Sequence, residues 1–154
     1  MANILRISEA ASLAIHALVL VAERETNEPV NASKIAQWLS ASEAHLAKIF
    51  QWLAKGGLVT SQRGPKGGFK LAKDPAQISL LDIIVAIDGP FPTSTCLLGR
   101  SPCRPACRLI GTLMEQIHAE VLEGFSKITI KSLLNNPECS VYNALTKDNP
   151  SRSV

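Results

Sequence analysis

The sequence predicts a mainly α-helical fold with one small β-hairpin: a winged helix-turn-helix with a long dimerisation helix behind it. Three observations carry this. Two short helical stretches, 31–39 and 42–55, are separated only by a break at Ser40-Ala41-Ser42. A basic, glycine-rich turn between two strand-like runs follows directly. An apolar stripe then recurs at helical spacing from about residue 106 to 125. The 154 residues, 46% hydrophobic and 19% charged, suit one domain with an appendage and can bury a core.

Residues 7–24 read as the first helix. Leu13, Ile15, Ala17, Leu18, Val19, Leu20 and Val21 cover both faces, so burial on nearly all sides is expected. His16 in this run reads as a core or interface histidine. Arg24 to Pro29 is a polar turn. Asn31 can accept from the free N–H groups of a helix running to about Leu39, with Ile35, Ala36 and Leu39 inward. Ser42 caps the next helix, which Gly56-Gly57 ends after Lys55. Leu46, Ile49, Phe50 and Leu53 form its core face. At about 100° per residue, Ala44, Lys48, Gln51 and Lys55 lie opposite, flanked by His45 and by Trp52, an edge packing residue. Two helices joined by so short a turn signal a helix-turn-helix.

Leu58 to Gln62 reads as a strand, Arg63 to Gly68 as the turn and Phe69 to Ala72 as the returning strand, which together form the wing. Ser79 caps a helix from Leu80 to Asp88, closed by Gly89-Pro90. Asp82 is its first-turn acid and Asp88 its end residue. A proline- and glycine-rich loop follows to residue 105. The long helix then carries Leu109, Ile110, Leu113, Met114, Ile117, Val121 and Phe125. So wide a stripe on a small body predicts a two-fold homodimer. His118 in mid-helix reads as an interface or surface residue. Thr129 caps a last short helix to about Leu134, and a polar tail begins at Asn135.

The net charge is only +3 but is unevenly placed. From Ser42 to Lys73, six basic residues (Lys48, Lys55, Arg63, Lys66, Lys70, Lys73) face one acid, Glu43. A basic stripe on a near-neutral body is the footprint of a phosphate-backbone binder. Ser42, Ala44, His45, Lys48 and Gln51 are the candidates for the major groove. Gln51 can pair with adenine, and Lys48 can reach guanine or a phosphate. Arg63 and Gly64 at the wing tip, with Lys66, are the candidates for the minor groove or its phosphates. No catalytic triad, P-loop, dinucleotide fingerprint or carboxylate pair is present, so an enzyme is not expected. No apolar run reaches the roughly 18 residues of a membrane span, and no secretory signal opens the chain. A cytoplasmic protein without membrane contact is therefore expected.

Three of the four cysteines, Cys96, Cys103 and Cys107, fall in CLLGRSPCRPAC, a C-x6-C-x3-C spacing. Clustered thiols in such a chain point to metal or redox chemistry. Arg100, Arg104 and Arg108 favour the thiolate, the form that ligates metal or reacts with oxidants. Cys139, in the tail, reads as a free thiol.

The stretch LAKIFQWLAKGGLVTSQRGPKGGFKLAKDPAQISLLDIIVAIDGP closely resembles the IscR, NsrR and CymR family of bacterial winged-helix transcription regulators. Its most specific parts are the RGPKGGFKLAKDP wing and the ISLLDIIVAIDGP helix. The family's order of elements matches about residues 5–134, including the ITIKSLL end. The resemblance implies a homodimeric repressor of double-stranded operator DNA. It further implies an iron–sulfur cluster, 2Fe–2S or 4Fe–4S, on Cys96, Cys103 and Cys107, sensing redox state, iron or nitric oxide. The fourth ligand stays open. The histidine of the IscR branch falls on Ile110, and the acid of the NsrR branch, drawn from the partner's first helix, falls on Ser12. Glu9, Cys139 and His118 are the candidates. The alternative is a cluster-free repressor controlled by a thiol/disulfide switch or, as in the CymR branch, by a regulatory protein partner. The resulting division is a DNA-binding domain at 1–89, a cysteine-rich sensor loop at 90–107, the dimerisation helix with the terminal short helix at 108–134, and a flexible tail at 135–154.

Overall fold

The computed structural model describes residues 7–24, 29–64, 67–91 and 108–136. The first helix, α1, spans Glu9–Glu23, and the Ser8 hydroxyl accepts the Ala11 N–H at 3.0 Å. Its C-terminal half meets the expectation of all-round burial, since Ala17 to Val21 are consecutively buried. Its N-terminal half does not: Ser12 and His16, one turn apart, share a solvent side. His16 Nδ1 lies 2.7 Å from the Ser12 carbonyl oxygen. His16, read from the sequence as a core or interface residue, is thus not a core residue of the single chain. Helical phase explains this, because residues 12 and 16 fall on the same face.

Helix α2 spans Ala32–Leu39 and is capped by the Asn31 side chain; α3 spans Glu43–Lys55 and is capped by Ser42. Between them, Ser40 takes a left-handed conformation (φ 51°), rare outside glycine and a local cost. It is held by hydrogen bonds from the Ser40 N–H to Gln37 O and from the Ala41 N–H to Ala36 O at 2.9 Å. This sharp reversal is what makes the two helices a helix-turn-helix. Leu46, Ile49, Phe50 and Leu53 are all completely buried, as the periodicity of α3 requires.

Strands β1 (Val59–Gln62) and β2 (Gly68–Leu71) pair antiparallel, with Val59 opposite Leu71 and Gln62 opposite Gly68. A single residue extends the ladder: Val30 exchanges two 2.9 Å hydrogen bonds with Phe69. The wing is thereby fastened to the residue preceding the α2 cap. Gly68 makes the fastening possible, because a Cβ there would lie 2.5 Å from the Val30 carbonyl oxygen.

Helix α4 (Leu80–Asp88) follows a single 3₁₀ turn and opens with a reciprocal Ser79–Asp82 capping box. The long helix α5 spans Arg108–Lys127, and α6 spans Ile130–Leu134. The terminal helix α6 packs against the helix-turn-helix body. Leu80 N–H bonds Ile128 O, and Ile130 N–H bonds Ile78 O, both at 2.9 Å. Ile78 and Ile130 are both fully buried in the same cluster as α1 and α3. Replacing Ile130 by alanine leaves a cavity at this junction, so Ile130→Ala should cost about 2–5 kcal/mol of stability. Urea unfolding followed by circular dichroism measures this directly.

Candidate nucleic-acid interface

The outer face of α3 carries no core residue. Ser42, Ala44, Lys48, Gln51 and Lys55 are exposed and His45 is half-buried. Ser42 and Ala44 are small, Glu43 is the acid of the first turn, and the lysines at 48 and 55 lie about two turns apart. Lys48 Nζ rests 5.0 Å from the centroid of the Trp52 ring, a contact between two residues the sequence treats separately.

The wing extends the same surface. Arg63 and Gly64 are exposed at its tip, and Gly64 has a positive φ of 117° that disfavours any side chain there. Lys66 lies outside the described residues. Lys70 is exposed on β2, opposite Thr60. In β1, Thr60, Ser61 and Gln62 are exposed in succession after buried Val59, where a half-buried strand would alternate. Beyond Val59, β1 leaves the core, while Phe69 and Leu71 keep β2 packed against it. The hydroxyl and amide side chains of Thr60, Ser61 and Gln62 are hydrogen-bonding groups that the charge pattern did not reveal. Among the described residues, none of Lys48, Lys55, Arg63, Lys70 and Lys73 is paired with a carboxylate. Their charges are available to an anionic partner.

The candidate sensor residues belong to other parts of the chain. Cys96, Cys103, Cys107 and Cys139 lie outside the described residues, and among those described no group of three or more ligand-type side chains comes together. The two remaining candidates are both placed. Glu9 is exposed in the first turn of α1. Its neighbour Ser8 is clasped to the end of α4, the Ser8 N–H donating to Asp88 Oδ2 at 3.0 Å and the hydroxyl donating to Oδ1. His118 is half-buried on α5, and its Nε2 is buried with no hydrogen-bond partner among the described residues. Its ring centroid is 6.1 Å from that of Phe91, which in turn is 6.1 Å from Phe125. His118 lies roughly 15 Å along the helix from Arg108, at 1.5 Å per residue. It therefore sits beside the start of segment 92–107, not its end.

The family profile described as "Rrf2: Iron-dependent Transcriptional regulator" matches residues 7–136. The chain belongs to the Rrf2 family. Among curated Rrf2-type relatives, the HTH-type transcriptional regulator IscR of Photorhabdus laumondii is 31% identical over 135 residues, covering 87% of this chain and 82% of that protein. The IscR of Cronobacter sakazakii is likewise 31% identical over 135 residues, covering 87% of this chain and 83% of that protein. Among solved structures, CymR, the global cysteine regulator of B. subtilis, superposes with a TM-score of 0.73 at 28% identity, covering 84% of this chain and 96% of that one. IscR of T. potens gives 0.67 at 25% identity, covering 84% and 86%. The Rrf2 relatives are named transcription regulators, not enzymes, and the winged-helix fold is shared with CymR and IscR. No helix among the described residues is long and apolar enough to cross a membrane.

Arg63 is the outermost described cation of the wing. Arg63→Ala should weaken binding to duplex DNA and lower the slope of log affinity against log salt by about one per arginine removed. Fluorescence anisotropy across a salt series reads both effects.

Proposed function

We propose that this chain is a homodimeric repressor whose hold on operator DNA is set by an iron–sulfur cluster on Cys96, Cys103 and Cys107. The observation that carries the reading is the donor set. Three thiols, accompanied by Arg100, Arg104 and Arg108 and by no acid, occupy the connection between α4 of the DNA-binding body and α5. Thiolates suit either a 2Fe–2S or a 4Fe–4S cluster. The names of the IscR relatives support the same reading. When bound, the cluster supplies a centre sensitive to oxidants, iron supply or nitric oxide.

The fourth donor is sought among Glu9, Cys139 and His118. The orphaned, buried Nε2 beside Phe91 favours His118, since a buried ring nitrogen without a partner is costly and invites one. The chain's own part in the response is mechanical. Asp88 grips the N-terminus of α1, Phe91 packs at His118 and Phe125, and Ile130 returns the long helix to the core. A change within 92–107 would then shift α5 against the body, and with it the spacing of two recognition helices about one DNA turn apart. Such a shift favours one state only by the difference in affinity between the two.

The homodimer reading rests on α5. Its apolar stripe is covered on one flank by α4, while the other leaves Ile110 at 43% and Leu113 at 54% exposed, with Val85 of α4 at 38%. A second copy packed there would bury them. A second functional reading keeps DNA binding without the cluster, through a thiol/disulfide switch at Cys103–Cys107 or between protomers, or through a regulatory protein partner. The likeness to CymR, named a cysteine regulator, supports it.

Purification without oxygen, followed by visible absorption and assays of iron and acid-labile sulfide, separates the two. The cluster reading expects colour and both elements, lost in Cys103→Ala, with a spectrum altered but not abolished in His118→Ala. A colourless protein after reconstitution, with DNA binding reversed by a thiol reductant alone, would move the assignment to the switch. Independently, Leu113→Glu should give a monomer in sedimentation equilibrium while helical content is retained.

A further inference from the structure

We propose that Trp52 is a positioning residue for DNA binding: its indole face holds the Lys48 ammonium so that this charge serves the phosphate backbone rather than base edges. The inference rests on the DNA-binding reading of α3. The 5.0 Å from Lys48 Nζ to the Trp52 centroid is within the ~6 Å range of cation–π attraction. Residues 48 and 52 are one turn apart on the same helix, so the contact is local to α3. Their environments differ in a useful way. Trp52 is half-buried and packs against the core cluster, so the body fixes its ring. Lys48 is exposed, so the far side of its ammonium faces solvent.

Helical side chains lean toward the N-terminus of their helix. A lysine extending freely from position 48 would carry its ammonium toward the end of α3 that reads base edges. Reaching Trp52 draws it the opposite way, toward the C-terminal turn. The ammonium has three donors; with one side against the ring, N–H groups remain for a phosphate oxygen. Holding the lysine in the free protein also removes part of the rotamer entropy otherwise lost on binding. Nothing on α3 competes for the charge: its one acid is Glu43, which is not paired with Lys48.

The test is a double-mutant cycle on the full chain, read by fluorescence anisotropy of a short random-sequence duplex over a salt series. Trp52→Leu should weaken binding about two- to fivefold, the worth of an exposed cation–π contact. Trp52→Phe, which keeps a ring face, should stay near wild type. In a Lys48→Ala background, Trp52→Leu should add no loss. Lys48→Ala should cut affinity by the same factor for the random duplex and for a duplex selected from a random pool by the wild-type chain. An equal loss from Trp52→Leu in both backgrounds would reduce Trp52 to a structural role and overturn the proposal. So would no loss at all, or a larger Lys48→Ala effect on the selected duplex. Failure of the wild-type chain to bind either duplex at low salt would instead overturn the DNA-binding reading itself. Should Trp52→Leu not fold, the surface change Lys48→Gln in a Trp38→Phe background gives a second readout. Altered Trp52 fluorescence supports the contact, and unchanged emission refutes it.

Discussion

Phe50 lies fully buried on the inner face of α3, its ring flat on Phe69 of β2, with centroids 4.3 Å apart and planes 12° from parallel. The stack adds about 0.5–1.5 kcal/mol beyond the area it buries, but its geometric effect matters more. Phe69 is bonded through its backbone to Val30, immediately before the cap of α2. One residue of the wing is thus held by α3 through its ring and by the start of α2 through its main chain. The outer face of α3 and the wing tip can then present their charges as one rigid surface. Without this constraint, the exposed lysines of α3 and Arg63 would be independent solvated groups, and their registry along a groove would be lost.

The same logic operates at the other end of the body. Asp88 ends α4, where the negative pole of its own helix disfavours a carboxylate. It meets the N-terminus of α1 instead, accepting from the Ser8 N–H and hydroxyl while that hydroxyl accepts from Ala11. A local electrostatic disadvantage becomes a tertiary tie between two helix ends. The Ile78–Ile130 pair provides a second tie where α5 returns. The long helix therefore touches the body at its far end through the core and along its length through α4. That is the mechanical arrangement a signal from the intervening cysteines would need.

The helices and the hairpin were legible in the sequence because their signals are local. Asn31, Ser42, Ser79 and Thr129 each cap the helix their position suggests, and the apolar spacing of α3 gives its buried face directly. What the sequence did not show depends on contacts between distant residues. Ser8 and Asp88 are eighty positions apart, and nothing in either neighbourhood marks the pair. The packing of α6 into the core was hidden for the same reason, since the Ile78–Ile130 contact joins residues far apart in the chain. For His16 the apolar run left core and interface both open, and only the helical phase seen in the structure takes it out of the core. On the surface formed by α3 and the wing, charge singled out Lys48, Arg63 and Lys70, whereas the exposure of uncharged Thr60, Ser61 and Gln62 became visible only in the structure.

Glu43 shows how folding and binding pull against each other on this surface. It occupies the first turn of α3, where a carboxylate favours the positive pole of the helix. The same position lies at the end of the helix that would enter the major groove, where phosphates repel it. The N-terminal backbone amides that an anion would otherwise find are partly screened by this acid and by the Ser42 cap. Attraction must then come from further along, from Lys48, Lys55 and the wing. Affinity built from a few peripheral charges on a rigid frame depends on where the frame is held. In the proposed homodimer, a small displacement of one copy against the other would therefore change binding more than it would for a helix that anchors phosphate at its own N-terminus.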